Sequence, residues 1–436
     1  MTRLAVGIGL AAVSAMLGAA VSLATMLPGM LALAGTGALV CLAVFLLWPW
    51  AVLPVGIVGG AVAGGLVSGG DVRIYVAAHL LLLAVGGVAL LIRYALGISA
   101  GRRRTSADTG MMLVVGLTVA AACYGLAVGN LPTEVVVAGY QIAILPLYFF
   151  LATHTLTTDR RLAAAGLLYV GVVAVLAAIS MTVPGRHGGL LTLLAVPMLI
   201  WFAGHYRGWR RLAAVLLAGL FAIDVVLASY RGIWLAAGVT LLTMLVCGGR
   251  AVRIGMAATT AVGLVIAALL AIQPGVRERA QEIAIGFEQS AGYRASESSV
   301  GLNIFADRPV LGAGLGQSTT DVYLADFALT DVGPVYHAFY VTLLANVGLV
   351  GLALVLWPVL RGIRAGLADP AGPALPFAAL CCGFLCAAVF AAPTDGHWEL
   401  GLLPALALLT ARPPAQVRER PPGRLRLQVR VPEAVR

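Results

Sequence analysis

Lysine is absent from this sequence. All 28 basic residues are arginine, a bias of genomic base composition that carries little mechanism. Charge of either sign is scarce: charged residues make up 11% of the 436 positions and hydrophobic residues 61%, where an average globular protein has roughly 25% charged. A soluble fold of this length must cover a large surface with polar groups, and this chain lacks them. The scarcity excludes a soluble enzyme, a disulfide scaffold and a disordered chain. The six cysteines, Cys41, Cys123, Cys247, Cys381, Cys382 and Cys386, all sit in apolar runs without metal-ligand spacing and read as small buried hydrophobes. What remains is an all-α, polytopic helical membrane protein.

A hydrocarbon core of about 30 Å needs roughly 20 apolar residues per helix. Fourteen stretches qualify: Leu4–Met26, Met30–Leu47, Ala51–Val67, Tyr75–Leu96, Met111–Val128, Val135–Leu151, Leu162–Val183, Leu190–Gly204, Leu212–Ser229, Ile233–Cys247, Ile254–Ile272, Ala338–Val359, Leu375–Ala392 and Leu400–Thr410. The last is short enough to be re-entrant or tilted, so the expectation is twelve to fourteen transmembrane helices. The first is too long for the apolar region of a signal peptide, about 7–15 residues, and reads as a retained anchor.

The arginines orient the chain. Arg102–Arg104, Arg160/Arg161, Arg207/Arg210/Arg211, Arg250/Arg253 and Arg361/Arg364 follow spans four, six, eight, ten and twelve, and an arginine-rich tail follows span fourteen. Seven of the 28 arginines fall on the opposite side (Arg73, Arg186, Arg231, Arg277, Arg279, Arg294 and Arg308), leaving 21 on the basic side. By the positive-inside rule the basic side is cytoplasmic and both termini lie inside. This distribution, rather than the net charge of +10, decides against a nucleic-acid partner. Residues 412–436 read as a solvated cytoplasmic tail touching anionic lipid head groups.

The expected organisation is therefore transmembrane helices over 1–272, an exterior loop over 273–337, C-terminal transmembrane helices over 338–411 and the basic tail. The 65 residues from Gln273 to His337 form a connection long enough to be functional or to carry its own structure. Val276–Phe287 mixes charged and apolar residues at helical spacing, as in a helix lying on the membrane surface. A second helix-like stretch, Ala295–Ala306, ends at Asp307-Arg308-Pro309, before the turn Gly312-Ala313-Gly314-Leu315-Gly316. A phosphate-loop reading of that turn fails: the Gly-Lys-Ser/Thr ending and a preceding strand are both missing. A tight turn between two amphipathic pieces is expected instead.

Few residues qualify for chemistry. Arg231 is held at the outer boundary between two spans with almost no loop, pointing either to head groups or to an internal cavity. Asp224 lies on the same helical face inside a span, as a structural ion pair or as a functional carboxylate. His337 closes the long loop. His187, His397 and the connection Asp395-Gly396-His397-Trp398-Glu399 compete with it. Asp321, Asp326 and Asp331 are spaced by five and share no helix face, so no metal site is expected.

In order and sidedness these features resemble the bacterial O-antigen ligase and O-antigen polymerase family of membrane glycosyltransferases. The residues that carry the resemblance are Ser229-Tyr230-Arg231-Gly232, then Tyr293-Arg294, then Arg308-Pro309-Val310-Leu311-Gly312-Ala313-Gly314-Leu315-Gly316, then His337, then Asn346-Val347-Gly348-Leu349-Val350-Gly351-Leu352. One position departs: Ala338 follows the histidine where the family pattern has Asn. The resemblance implies metal-independent and cofactor-free transfer of a glycan from a polyprenyl diphosphate carrier to a glycan or lipid-glycan acceptor hydroxyl, on the outer face of a bacterial cell membrane. It implies His337 as the catalytic residue and Arg231, Arg294 and Arg308 on the diphosphate, with Asp224, Asp395, His397 and Glu399 in possible support. The competing class is a lipid-linked glycan flippase or other secondary transporter, which should show repeated halves with broken helices at the midplane; no such repeat is visible. Ligase and polymerase differ mainly in acceptor and stay open.

Overall fold

A computed structural model describes residues 30–66, 72–98, 101–182, 189–228, 231–270, 294–322, 330–390 and 397–411. The first span, the amphipathic segment 276–287, Arg186, His187, Arg277, Arg279, Asp395 and the basic tail lie outside them.

The chain is an all-α membrane protein. The helices are α1 (Met30–Leu47), α2 (Val52–Leu66), α3 (Val72–Ala95), α4 (Asp108–Ala127), α5 (Pro132–Thr155), α6 (Asp159–Thr182), α7 (Gly189–His205), α8 (Trp209–Leu227), α9 (Arg231–Cys247) and α10 (Arg250–Leu270). After these come α11 (294–307), α12 (Phe339–Leu367), α13 (Leu375–Ala387) and α14 (Glu399–Thr410). Each expected span from the second to the fourteenth coincides with one of these helices. α11 matches the helix expected before Asp307-Arg308-Pro309. Asp108–Ala127, Pro132–Thr155, Asp159–Ile179 and Phe339–Leu367 are each long and apolar enough to cross a membrane, accompanied by shorter apolar helices.

The sequence expectation did not include a small antiparallel ribbon, β1 (Thr319–Val322) with β2 (Thr330–Val332). Its pairing sets the backbone of Asp321 and Asp331 on neighbouring strands, which spacing along one helix did not anticipate.

Burial separates a centre from a periphery. In α5, 72% of the apolar window lies inside the protein, against 17% in α6, so α5 is a core helix and α6 faces lipid. α14 packs against α5, α12 and α13, and α13 packs against α9. Small residues allow these approaches: Gly383 of α13 meets the backbone of Ala236 in α9, and Gly362 of α12 meets Pro404 of α14.

Two features of this core shape one of its ends. α13 has 13 residues and α14 has 12, so at 1.5 Å per residue each rises only about 20 Å of the roughly 30 Å hydrocarbon layer. α12 is broken at Gly348, whose φ of 64° and ψ of −166° are non-helical. The break would leave backbone groups unsatisfied in a medium without water. The segment following α11 fills it. Leu349 and Val350 donate to the carbonyls of Pro309 and Val310 at 3.0 and 3.2 Å. The vacated helical acceptors, Ala345 and Asn346, take the N–H groups of Ala313 and Gly314 at 2.8 and 3.1 Å.

Candidate active site

The glycine turn is the first wall of the site. Gly312, Gly314 and Gly316 have φ of 71°, 85° and 85°, a region that β-carbons disfavour. Space forbids side chains as well: a β-carbon on Gly314 would lie 2.8 Å from the Tyr124 ring, and one on Gly316 would lie 2.6 Å from the backbone nitrogen of Val135. Leu315 N–H donates to Ala121 at 3.2 Å, and its carbonyl accepts from the Asn130 side chain at 2.8 Å. The turn is thus seated against α4, α5 and the break in α12. It is a packing element whose N–H groups are already engaged, in keeping with the rejection of a phosphate loop.

α11 is laid onto the start of α12 by a small apolar cluster of Val300, Ile304, Val332, Tyr336, Val341 and Ala345. That packing carries Glu297, one turn earlier, to His337, two positions before the first residue of α12. Glu297 is buried, its side chain 7% exposed, whereas His337 is 46% exposed. One carboxylate oxygen, Oε2, accepts both the backbone N–H of His337 at 2.9 Å and its ring Nδ1 at 2.6 Å. With Nδ1–H donated inward, the basic lone pair of the neutral ring belongs to Nε2. The same burial pushes the neighbouring Tyr336 hydroxyl up to about 12, with the negative charge of Glu297 as the second cause. Glu297 was missed in the sequence because its partner is forty positions away. The one available signal was its i+3 relation to Arg294, which puts both on the same face of α11.

Arg294 begins the described part of α11 and donates through Nη1 to the Phe390 carbonyl at 3.2 Å. Two residues earlier, the Ala388 carbonyl accepts the N–H of Phe339 at 3.0 Å. Arg231 opens α9 and is half-buried. Because Gly383 faces Ala236 in an antiparallel pair, five residues further along each helix set Arg231 level with Ala388. The C-terminal end of α13 therefore contacts Arg294 and Phe339 and lies level with Arg231. Arg308 is apart from them. It lies past the far end of α11, about 20 Å along the helix from Arg294, and donates to the Tyr124 hydroxyl at 3.2 Å.

Asp224 is fully buried in α8 and accepts from the Thr192 hydroxyl at 3.0 Å. His397 and Glu399 form a second imidazole–carboxylate pair, Nδ1 to Oε1 at 2.5 Å, with side chains 3% and 2% exposed. The His397 ring meets Phe339 edge-on at 4.7 Å, and the adjacent Trp398 packs on Tyr148 at 5.1 Å. This pair is enclosed by protein, with Phe339 between it and the start of α12. The two pairs have the same chemistry and opposite access. Among the described residues no group of three or more His, Cys, Asp or Glu side chains is arranged to hold a metal.

No curated protein matches the chain. Residues 216–356 match the O-antigen ligase family, a range that runs from within α8 to within α12 and includes Arg231, Arg294, Glu297, His337 and the glycine turn, but stops short of His397 and Glu399. Residues 216–356, about a third of this membrane chain, are therefore similar to the O-antigen ligase family.

Proposed function

We propose that the protein transfers a glycan from a polyprenyl diphosphate carrier to an acceptor hydroxyl on the outer face of a bacterial cell membrane, with no metal in the reaction. The observation that carries this reading is the half-exposed His337 imidazole, held through Nδ1 by Glu297 at the end of the bundle shared with Arg231 and Arg294. A sugar hydroxyl is a poor nucleophile, so its proton must leave as the new bond forms. Nε2 of His337 takes that proton, the acceptor oxygen bonds to the anomeric carbon, and the bond from that carbon to the diphosphate oxygen breaks. The polyprenyl diphosphate leaves with its charge met by the guanidinium forks of Arg231 and Arg294. Arg308, remote from that corner, serves the turn.

The acceptor is a glycan or a lipid-linked glycan, and membrane lipids surround the site. The 21-to-7 distribution of arginines supports an exterior site with both termini cytoplasmic. The deciding experiment is transfer by the purified chain in lipid nanodiscs, using a polyprenyl-diphosphate-linked oligosaccharide, with and without EDTA. Glycan-extended acceptor in both conditions, abolished by His337→Ala, is the expected result. Movement of the donor across a vesicle membrane without transfer would overturn the reading in favour of a flippase.

A further inference from the structure

We infer that Glu297 is the positioning residue of the transfer site, fixing both the tautomer and the orientation of His337; this rests on the reading of His337 as the base. The local sequence cannot do this work. Ala338, the N-cap of α12, offers no side-chain hydrogen bond, and its methyl group stands where the resembling pattern has an amide. The ring is instead held from another element. A single oxygen of Glu297 binds the backbone and the ring of the same residue, at 2.9 and 2.6 Å. These two contacts fix where the loop stops and how the imidazole turns about its own axis.

The arrangement has a chemical consequence. With Nδ1–H donated to the carboxylate, the lone pair of the neutral ring is on Nε2, in a side chain that is 46% exposed. When Nε2 takes the proton, the resulting imidazolium lies 2.6 Å from Glu297 Oε2. The positive charge formed during transfer then meets a negative charge already in place, with no reorganisation required. The carboxylate is nearly dry, so that interaction is weakly screened. Glu297 touches neither donor nor acceptor. It acts through His337.

The test begins without substrate. In the full chain in nanodiscs, labelled with 15N-histidine and held at a pH where the ring is neutral, the His337 signal is identified by its loss in His337→Gln. The native ring should carry its proton on Nδ1, and in Glu297→Ala the Nε2–H form should gain. A native ring protonated on Nε2, or an unchanged tautomer in Glu297→Ala, overturns the inference. Kinetics supply a second measurement, with a polyprenyl-diphosphate-linked oligosaccharide as donor. Glu297→Gln keeps an oxygen for the backbone contact and loses the charge, so kcat should fall about tenfold with KM unchanged. Glu297→Ala should lose roughly a hundredfold or more. If His337→Ala is inactive while both Glu297 variants keep native kcat, the inference fails and the reading of His337 survives. If His337→Ala itself transfers normally, the reading of the base fails first.

Discussion

Asn346 and Gly316 are joined by a hydrogen bond of 3.3 Å from the glycine N–H to the asparagine Oδ1, and the other end of the same side chain donates to Pro334 and Thr342 carbonyls at 2.8 Å each. One buried amide thus ties the glycine turn and the approach to His337 to a single turn of α12.

Replacing that amide should be costly. Asn346→Ala leaves a buried N–H and buried carbonyls without their partner, at about 1–3 kcal/mol per lost group. Asn346→Asp should be no better, since an ionised carboxylate cannot donate to Pro334 and Thr342. Both variants should melt earlier than the native protein in detergent, and limited proteolysis from outside should cut 309–337 faster.

Gly314→Ala and Gly333→Ala make an internal comparison. A β-carbon at Gly314 meets Tyr124 at 2.8 Å on a backbone with φ of 85°, whereas Gly333 has nothing within 4 Å and no positive φ. The first substitution should destabilise by about 1–2 kcal/mol from backbone strain alone, with the clash in addition. The second should leave thermal stability unchanged. Equal melting of the two variants would mean that the turn is not seated as described.

The two imidazole–carboxylate pairs should separate activity from stability. His337→Ala removes a half-exposed ring but leaves Glu297 its contact with the backbone N–H of residue 337. It should lose transfer by about 10²–10⁴-fold, with a smaller loss of stability than His397→Ala. His397→Ala strands Glu399 in the interior and should cost about 3–5 kcal/mol, seen as a lowered midpoint of unfolding. Inactive but fully stable His397→Ala, beside active His337→Ala, would move the base to the buried pair.

Lysine at Arg231 or Arg294 keeps the charge and loses the planar fork. Transfer should fall roughly tenfold to a hundredfold, with membrane insertion unaffected. Arg308→Lys should be milder, since this residue contacts Tyr124 far from the other two. Matching losses at all three positions would contradict the distinction drawn here between diphosphate ligands and a turn anchor.

Tyr336 supplies a pH dependence. Its hydroxyl is pushed from 10 up to about 12, so the folded state favours the neutral phenol. The associated stability, about 2 kcal/mol, is present below pH 10 and is lost as pH rises through about 12. Tyr336→Phe should therefore flatten the fall in melting temperature between pH 9 and 11.5. An unchanged fall would assign it to other groups.

Much of this architecture was legible because membrane burial acts over contiguous sequence. The spans follow from runs of apolar residues, and α11 ends where Asp307-Arg308-Pro309 breaks helical periodicity. The glycine turn was also legible as a turn. Its docking was not, because the gap it fills depends on the conformation of Gly348, thirty-six positions from Gly312. Glu297 escaped for a similar reason: a carboxylate in a mixed helix has no mark until tertiary packing places it beside His337. Residue types alone did not rank His337 against the His397–Glu399 connection, since the carboxylate partner of His337 is visible only in the fold. Access distinguishes them, the His337 side chain being 46% exposed and that of His397 3%.

The fastening of both flanks of the ribbon to Asn346 has a consequence for how this scaffold can diversify. The stretch from Gln317 to Gly333 leaves and re-enters at points already fixed to the membrane body, so its ends stay close whatever its length. Closing such a loop costs only about 0.6 kcal/mol more for each doubling of its residues. Insertions there leave both anchor points on the same turn of α12, so the ribbon can lengthen without displacing the approach to His337.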